Sequence, residues 1–572
     1  MKEHFYQNIH MFYRDLPNWL LMVTVLLVLF PPLIGFLWGT PPSTTTAQFF
    51  LSALAGAQAA VLAIVFSVAI LGIQLVATRY APRSVSMFTK SPVFLFTFGV
   101  FIGSIAISLF LLYWTPQHLP RIFTSGVFLA GGLGILAAFS LHAFIGDATK
   151  RSTPDGIIAS IDRSLTTTEY RRQTILCLRQ DHRPPHPMHL LYSVAILSLS
   201  NKDHVSAESA TASIEQIAKR TIENLDWATL DPSKEESVKL FEPVLEEYLP
   251  EIAIYAAKND EFGISNQAID AKKNLGKSGI DTTDELVAKQ AGHGLIQVLC
   301  DADRVHNDYR IVSRSIRNYG NLLEEVSNKP APQSTSQMIG RIDHWGEVVL
   351  FRREYDSETY RYQDLTLELH TTLSSVQSNL LKHYAEPLQD EQFDWHSCPG
   401  DVPEELYEPI RAIHKNRKAI VSLNNHILIW YSRTGEYPIV KGNYGYLWTS
   451  CCQSAIDSGL RELDVLLVTN MIEVAYAATM VHENEQGFWS RRIADVVMES
   501  NPDPVWKAFN RIETAEEGYS REIVGGSAGR LNASEGAVGR ILQKLQDDSS
   551  FQQWAQGFRE DVEKKVSELS EQ

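Results

Sequence analysis

Four long apolar stretches near the amino end, none containing an Asp, Glu, Lys or Arg, decide most of what this chain can fold into. They occupy residues 19–38, 47–78, 92–114 and 122–145. A helix of about twenty apolar residues matches the ~30 Å hydrocarbon core of a bilayer. The first stretch is bounded by Trp19 and Trp38, roughly 29 Å apart along a helix, so both rings fall near interfaces. Pro31 and Pro32 inside it predict a kink or a break. The second stretch is too long to span upright and must tilt or extend beyond the lipid. A small-residue cleavage site is lacking around Trp38-Gly39-Thr40-Pro41, so the first stretch reads as an uncleaved anchor.

Charge separates this part from the remainder. Residues 1–146 carry six Lys/Arg and two acids, a net of +4, which leaves −20 for residues 147–572 of a chain whose total is −16. Nucleic acid is therefore not an expected partner, since the acidic part repels phosphates. The basic residues also orient the spans. Arg79, Arg83 and Lys90 lie between the second and third, and Lys150 and Arg151 follow the fourth, whereas residues 39–49 carry no charge. By the positive-inside rule both termini face the cytoplasm of a multi-pass protein of the cell membrane.

The second span holds the candidate site. At 100° per residue, Ser52, Ala55, Gly56, Ala59, Ala60, Ala63, Ser67, Gln74 and Thr78 share one face, interrupted by Phe66 and Ile70. Small residues let helices approach closely, and this is one reading of the face. The other is a conduit wall lined by Ser52, Ala59, Ala63, Phe66, Ser67, Ile70 and Gln74, with the Phe66–Ile70 pair as an apolar constriction. Ala130, Gly131, Gly134 and Ala138 form a further small stripe on the fourth span, and a symmetric homo-oligomer is expected. The absence of charged residues within the spans argues against a proton-coupled carrier.

Val65-Phe66-Ser67, Gln74-Leu75-Val76-Ala77, Tyr80, Pro82-Arg83 and Phe88 resemble the signature of a family of predicted prokaryotic membrane proteins, the domain-of-unknown-function family numbered 2254. Phe98-Gly99, Gly103, His142 and Ile157-Ile158-Ala159 are similar to it as well. The resemblance covers about the first 160 residues. It implies four spans followed by a cytoplasmic domain, and it brings no activity with it.

From Ile157 onward apolar residues recur every three or four positions, so the chain as a whole reads as all-α: a four-helix transmembrane domain followed by a large cytoplasmic helical region. Three segments read as helical hairpins of a short solenoid, turning at Ser200-Asn201-Lys202-Asp203, Lys258-Asn259-Asp260 and Asp301-Ala302-Asp303. A fourth turns near His482-Glu483-Asn484. The Pro- and Ser-rich residues 328–337 read as a linker between helical domains 147–327 and 338–572, with further loops at 396–403 and 524–529. A final helix is expected from about Ser550.

Residues 271–278 (Ala-Lys-Lys-Asn-Leu-Gly-Lys-Ser) fit a loose phosphate-loop pattern, but that motif needs a preceding strand, and Gly276 reads as a helix end. Cys177, His182, His186 and His189 match no common zinc spacing, and three prolines interrupt them. No catalytic residue, metal ligand or cofactor is therefore expected, and the chain reads as a non-enzyme. Two functions remain: an oligomeric channel-like protein, for cations if for any ion, controlled by its helical domain; or a membrane-anchored scaffold or sensor whose helical repeats bind a cytoplasmic protein partner.

Overall fold

The computed structural model describes residues 18–38, 43–79, 92–114, 120–179, 186–226, 239–282, 285–306, 309–351, 363–389, 395, 404–434, 441–514 and 547–571. Among these residues the regular structure is entirely helical. The chain divides into two compact units, Met1–Ile217 and Ala218–Gln572.

The first unit opens with α1 (Asn18–Trp38), α2 (Thr44–Arg79), α3 (Pro92–Tyr113) and α4 (Pro120–Ser152). Each of the four contains a window long and apolar enough to cross a membrane. Their outer surfaces keep large apolar side chains exposed, among them Leu29, Phe49, Ile64 and Phe110. Water would not tolerate that much continuous apolar surface, and lipid does. The chain is a membrane protein with four spans in this unit.

α4 packs against each of the other three helices. Its contact with α1 explains how the two prolines are accommodated, for α1 runs unbroken through both. Pro31 has no N–H to offer the Leu27 carbonyl, one turn earlier. At that carbonyl α4 presents Gly132, where an added Cβ would lie 2.4 Å from Leu27 O. A backbone can come this close only where a side chain is lacking. Ser125 Oγ donates to Pro32 O at 2.9 Å, so α4 also supplies a hydrogen bond to the proline segment. The break expected from the sequence is thus absent because a neighbouring helix compensates for it.

The unit continues through α5 (Pro154–Ser164), α6 (Thr167–Arg179), α7 (His189–Ser200) and α8 (His204–Asn224). Thr153 caps α5 by accepting from Gly156 N, with Pro154 in the first turn where an N–H is not needed. A turn joins α7 to α8 where the first hairpin was expected. Lys202 takes a positive φ of 59°, and Asp203 accepts from Ser206 N to start α8.

The second unit begins its described part with a π-helical turn (Pro243–Tyr248) leading into α9 (Leu249–Lys258), then α10 (Phe262–Asp281), α11 (Glu285–His306), α12 (Tyr309–Ser327) and α13 (Pro332–Phe351). It ends with α14 (Gln363–Leu388), α15 (Glu404–Thr434), α16 (Lys441–Ser458), α17 (Leu463–Val481), α18 (Gln486–Glu499), α19 (Asp503–Glu513) and α20 (Asp548–Ser570). The hairpin turns at Asn259-Asp260 and His482–Glu485 lie where the sequence puts them. The one expected at Asp301-Ala302-Asp303 does not: α11 continues through it to His306, because Ala302 extends the helix's buried face. Of residues 328–337, read as a linker, only Asn328–Ala331 are non-helical, since Pro332 starts α13; both flanks lie in the same compact unit. The loops expected at 396–403 and 524–529 lie outside the described residues. α20 starts within two residues of Ser550 and buries Phe551, Ala555, Phe558 and Val562 along one stripe.

α17 is a fifth helix long and apolar enough to span a membrane, yet 89% of its window is buried within the protein, against 11–33% for the four spans. It also carries Asp464, Asn470 and Glu473, all buried. This is the central helix of the second unit's core, and its apolarity answers to protein neighbours on every side.

Candidate intramembrane site

On α2 the residues proposed as a lining point away from the bundle. Ser52, Ala59, Ala63, Phe66, Ser67 and Ile70 are all exposed, as are Gly56 and Ala60 between them. A Cβ added at Gly56 would meet nothing within 4 Å. Ala55 is the exception and is buried. Gln74 lies in α2, but its side chain is outside the described residues. Ser67 Oγ donates to the Ala63 carbonyl at 2.9 Å, so its hydroxyl is satisfied within its own helix. Phe66 leans on Phe98 of α3, ring centroids 6.1 Å apart. The structure therefore brings the small residues of α2 together as one outward face.

The fourth-span stripe goes largely inward. Ala130 is fully buried, Gly131 lies beside Phe50 and Gly134 beside Leu54 and Gln58 of α2; outside the stripe, Gly126 faces Leu111 of α3 and Gly132 faces α1. Only Ala138 of the expected set is exposed. Here close approach within one protomer accounts for the small residues.

Two apolar clusters close the ends of the bundle. One gathers Ala47, Leu51, Leu111, Phe123 and Ala130; the other gathers Leu20, Val93 and Phe144, with Val65, Phe94 and Leu141 packed on it. Between them lies a polar layer that reading the α2 stripe misses. Gln58, Ser104 and Ser108 are buried, and Gln58 Oε1, Gln58 Nε2 and both hydroxyls have no hydrogen-bond partner. A signal was present: Gln58 is a polar residue within an otherwise apolar window, seven residues after Leu51 and on its face.

Residues 16–222 match the model of a family described as "Predicted membrane protein (DUF2254)". Over these residues the chain is similar to that family. The DUF2254 match extends past the 160 residues on which the resemblance rests and takes in α7 and all but the end of α8. It nearly coincides with the first compact unit, Met1–Ile217. Neither the curated proteins nor the solved structures gave a match to the chain.

Outside the DUF2254 region, the phosphate-loop pattern at 271–278 lies wholly inside α10, where helical backbone amides cannot converge on a phosphate. Gly276 is not a helix end; its missing side chain makes room for Ala291 and Leu322, each 2.9 Å from an added Cβ. Lys272 in the same segment is fully buried, and its Nζ donates to Gly294 O at 2.7 Å. Burial pushes its pKa well below the usual amine range, against the opposing pull of Glu246 and Asp301. Gly294 itself abuts the π-helical turn, where Leu245 O lies 1.9 Å from an added Cβ, and neighbouring His293 pairs with Glu246 at 2.7 Å. The arrangement ties α10, α11 and the π turn together, and a sealed amine of this kind anchors structure.

Among the described residues, no group of three His, Cys, Asp or Glu side chains is placed to hold a metal. His186 lies against Tyr170, with Nε2 3.3 Å from the hydroxyl and Nδ1 accepting from Met188 N. Cys177 is buried, and His182 is outside the described residues.

Proposed function

We propose that the protein is a non-enzymatic, channel-like homo-oligomer of the cell membrane, in which the outward face of α2 meets its counterparts from other copies. The observation that carries this reading is the exposed run Ser52, Gly56, Ala59, Ala60 and Ala63 on a helix that is otherwise apolar. Lipid contact alone asks for large apolar side chains, as α1 and α3 present. Small side chains gain from close helix approach, where backbones and Cα–H groups meet. Phe66 and Ile70, both exposed one and two turns farther along, supply an apolar constriction in this reading. Both termini lie in the cytoplasm, on the strength of Arg79, Arg83, Lys90, Lys150 and Arg151. The acidic residues 147–572 then raise the local cation concentration on that side, which favours cations over anions.

Flux through the purified protein in liposomes, compared between wild type, Phe66→Ala and Ile70→Ala, tests the reading. Widening the constriction is expected to raise cation flux. Absence of flux in all three, with a monomeric mass in lipid discs, would end it and leave the membrane-anchored scaffold with a cytoplasmic protein partner.

A further inference from the structure

The end of the bundle from which the chain leaves α4 for α5 is not flush. Leu20 of α1, Val93 of α3 and Phe144 of α4 meet in one cluster, which sets the level there. α1 and α3 both begin at this level, with Asn18 and Pro92. α4 runs on past Phe144 to Ser152. α2 runs on as well. Its contacts with α3, Leu51 to Leu111 and Phe66 to Phe98, put residues 69–71 level with Val93, and the helix continues to Arg79. At 1.5 Å per residue, α2 and α4 therefore project roughly 12–15 Å past the level at which the other two spans begin.

These projecting turns match the depth of lipid phosphates. Phe123 belongs to the cluster at the opposite end, and residues 123–144 of α4 span about 31 Å, the thickness of the hydrocarbon core. Headgroups add roughly 5–8 Å on each side, so the last turns of α2 and α4 pass through them. Arg79 ends α2, Arg83 and Lys90 lie between α2 and α3, and Lys150 and Arg151 lie in the last turn of α4. One acid, Asp147, accompanies these five basic residues. At the opposite end, residues 39–43 and 114–119 contain no Asp, Glu, Lys or Arg, and residues 147–572 as a whole carry −20. Positive charge is thus concentrated at one level of the molecule. Along α4, on the membrane side of that level, Ile135, Phe139 and Ile145 are exposed.

We propose that this end of the bundle binds an anionic phospholipid, its phosphate drawn by Arg79, Arg83, Lys90, Lys150 and Arg151 and its acyl chains lying against the exposed apolar surface of α4. Guanidinium and ammonium groups form charge-assisted hydrogen bonds with phosphate oxygens. A cluster of about four to eight basic residues beside a span attracts anionic headgroups, each residue adding roughly fivefold in affinity near the surface. Free phosphate would meet the charges alone, whereas a phospholipid also covers the apolar side chains next to them. The binding belongs to each protomer and does not depend on how α2 meets other copies.

Native mass spectrometry of the full chain in detergent, titrated with phosphatidylglycerol or with phosphatidylcholine of the same chain length, tests it. Phosphatidylglycerol is expected to bind about tenfold more tightly or better. Replacing all five basic residues with Gln is expected to abolish that preference, and Lys150→Gln with Arg151→Gln to weaken phosphatidylglycerol binding several-fold. Arg121→Gln, at the opposite end of α4, is expected to leave it unchanged. Should the fivefold variant fail to fold, the Lys150→Gln, Arg151→Gln pair decides. Equal binding of the two lipids by the wild type, wild-type affinity in the folded Gln variants, or an equal loss in Arg121→Gln would overturn the proposal. So would displacement of a fluorescent phosphatidylglycerol by inorganic phosphate beyond that caused by chloride at equal ionic strength.

Discussion

Two helices of one bundle are lined with small residues, and the structure puts them to opposite uses. On α4, Gly126, Gly132 and Gly134 each face a different neighbour, and each would bring a side chain into collision with it. On α2, Ser52, Gly56, Ala59 and Ala63 face outward, and Gly56 has open space around it. The same sequence pattern thus marks an interior seam in one helix and an external surface in the other. What separates them is the partner. α4 is surrounded by the other three spans, and α2 turns only the Ala47, Leu51, Ala55 and Gln58 side to the bundle.

The largest expected effect is at the seam. Gly132→Leu forces a side chain onto the Leu27 carbonyl, 2.4 Å from the first added atom, and no rotamer relieves a clash with backbone. The bundle is expected to lose several kcal/mol, read as a fall in melting temperature and in detergent-stable yield, whereas Gly56→Leu leaves the protomer's stability unchanged. If the two variants behaved alike, the contrast between the helices would be wrong.

A comparable effect separates the two units by pH. His370 is fully buried against the edges of Tyr444 and Trp448, and burial lowers its pKa to about 4. A histidine depressed in the folded state leaves stability untouched above its unfolded pKa near 6.5. As pH falls from 6.5 towards 4 the unfolded chain takes up a proton that the native state refuses, and stability is lost. The loss approaches about 3 kcal/mol at pH 4, and His370→Phe is expected to remove it from the acid denaturation curve of the second unit. Lys272 acts at the other end of the scale. With its folded pKa lowered by burial, stability rises with pH towards the free amine value of 10.5, a slope that Lys272→Met is expected to flatten in melting scans.

The smallest effect is expected at Gly134→Ala, whose methyl would press on the flexible end of Gln58 and on Leu54, both able to shift. A modest drop in melting temperature, well below that of Gly132→Leu, is the outcome that fits.

The four spans were legible because lipid writes an unmistakable composition, and the turns at 200–203 and 258–260 because short polar runs with Asn and Asp interrupt the apolar spacing there, Lys202 and Asp260 taking the positive φ. Asp301-Ala302-Asp303 misled because acidic residues suit turns and exposed helix faces alike. The direction of the α2 face was hidden for a related reason: Ala, Gly and Ser fit a seam and a surface equally well, and only the neighbours decide. Lys272 was concealed beside Lys273, which looks like a solvated pair. Its place in the stripe Ser265, Ala268, Ile269, Lys272, Gly276 marks it as an inward position.

The outward face of α2 is most directly tested by cysteine cross-linking in membranes. All five native cysteines lie after the spans, so they can be replaced without touching the bundle. Single cysteines at Ser52, Gly56, Ala59, Ala63 and Ser67 are then compared with one at Leu29, an exposed lipid-facing position on α1. Disulfides form only when Cα atoms come within about 7 Å. The account predicts intermolecular cross-linking at one or more helical steps along the α2 series and none at Leu29; a series that stays monomeric throughout, or cross-links no better than Leu29, would contradict it.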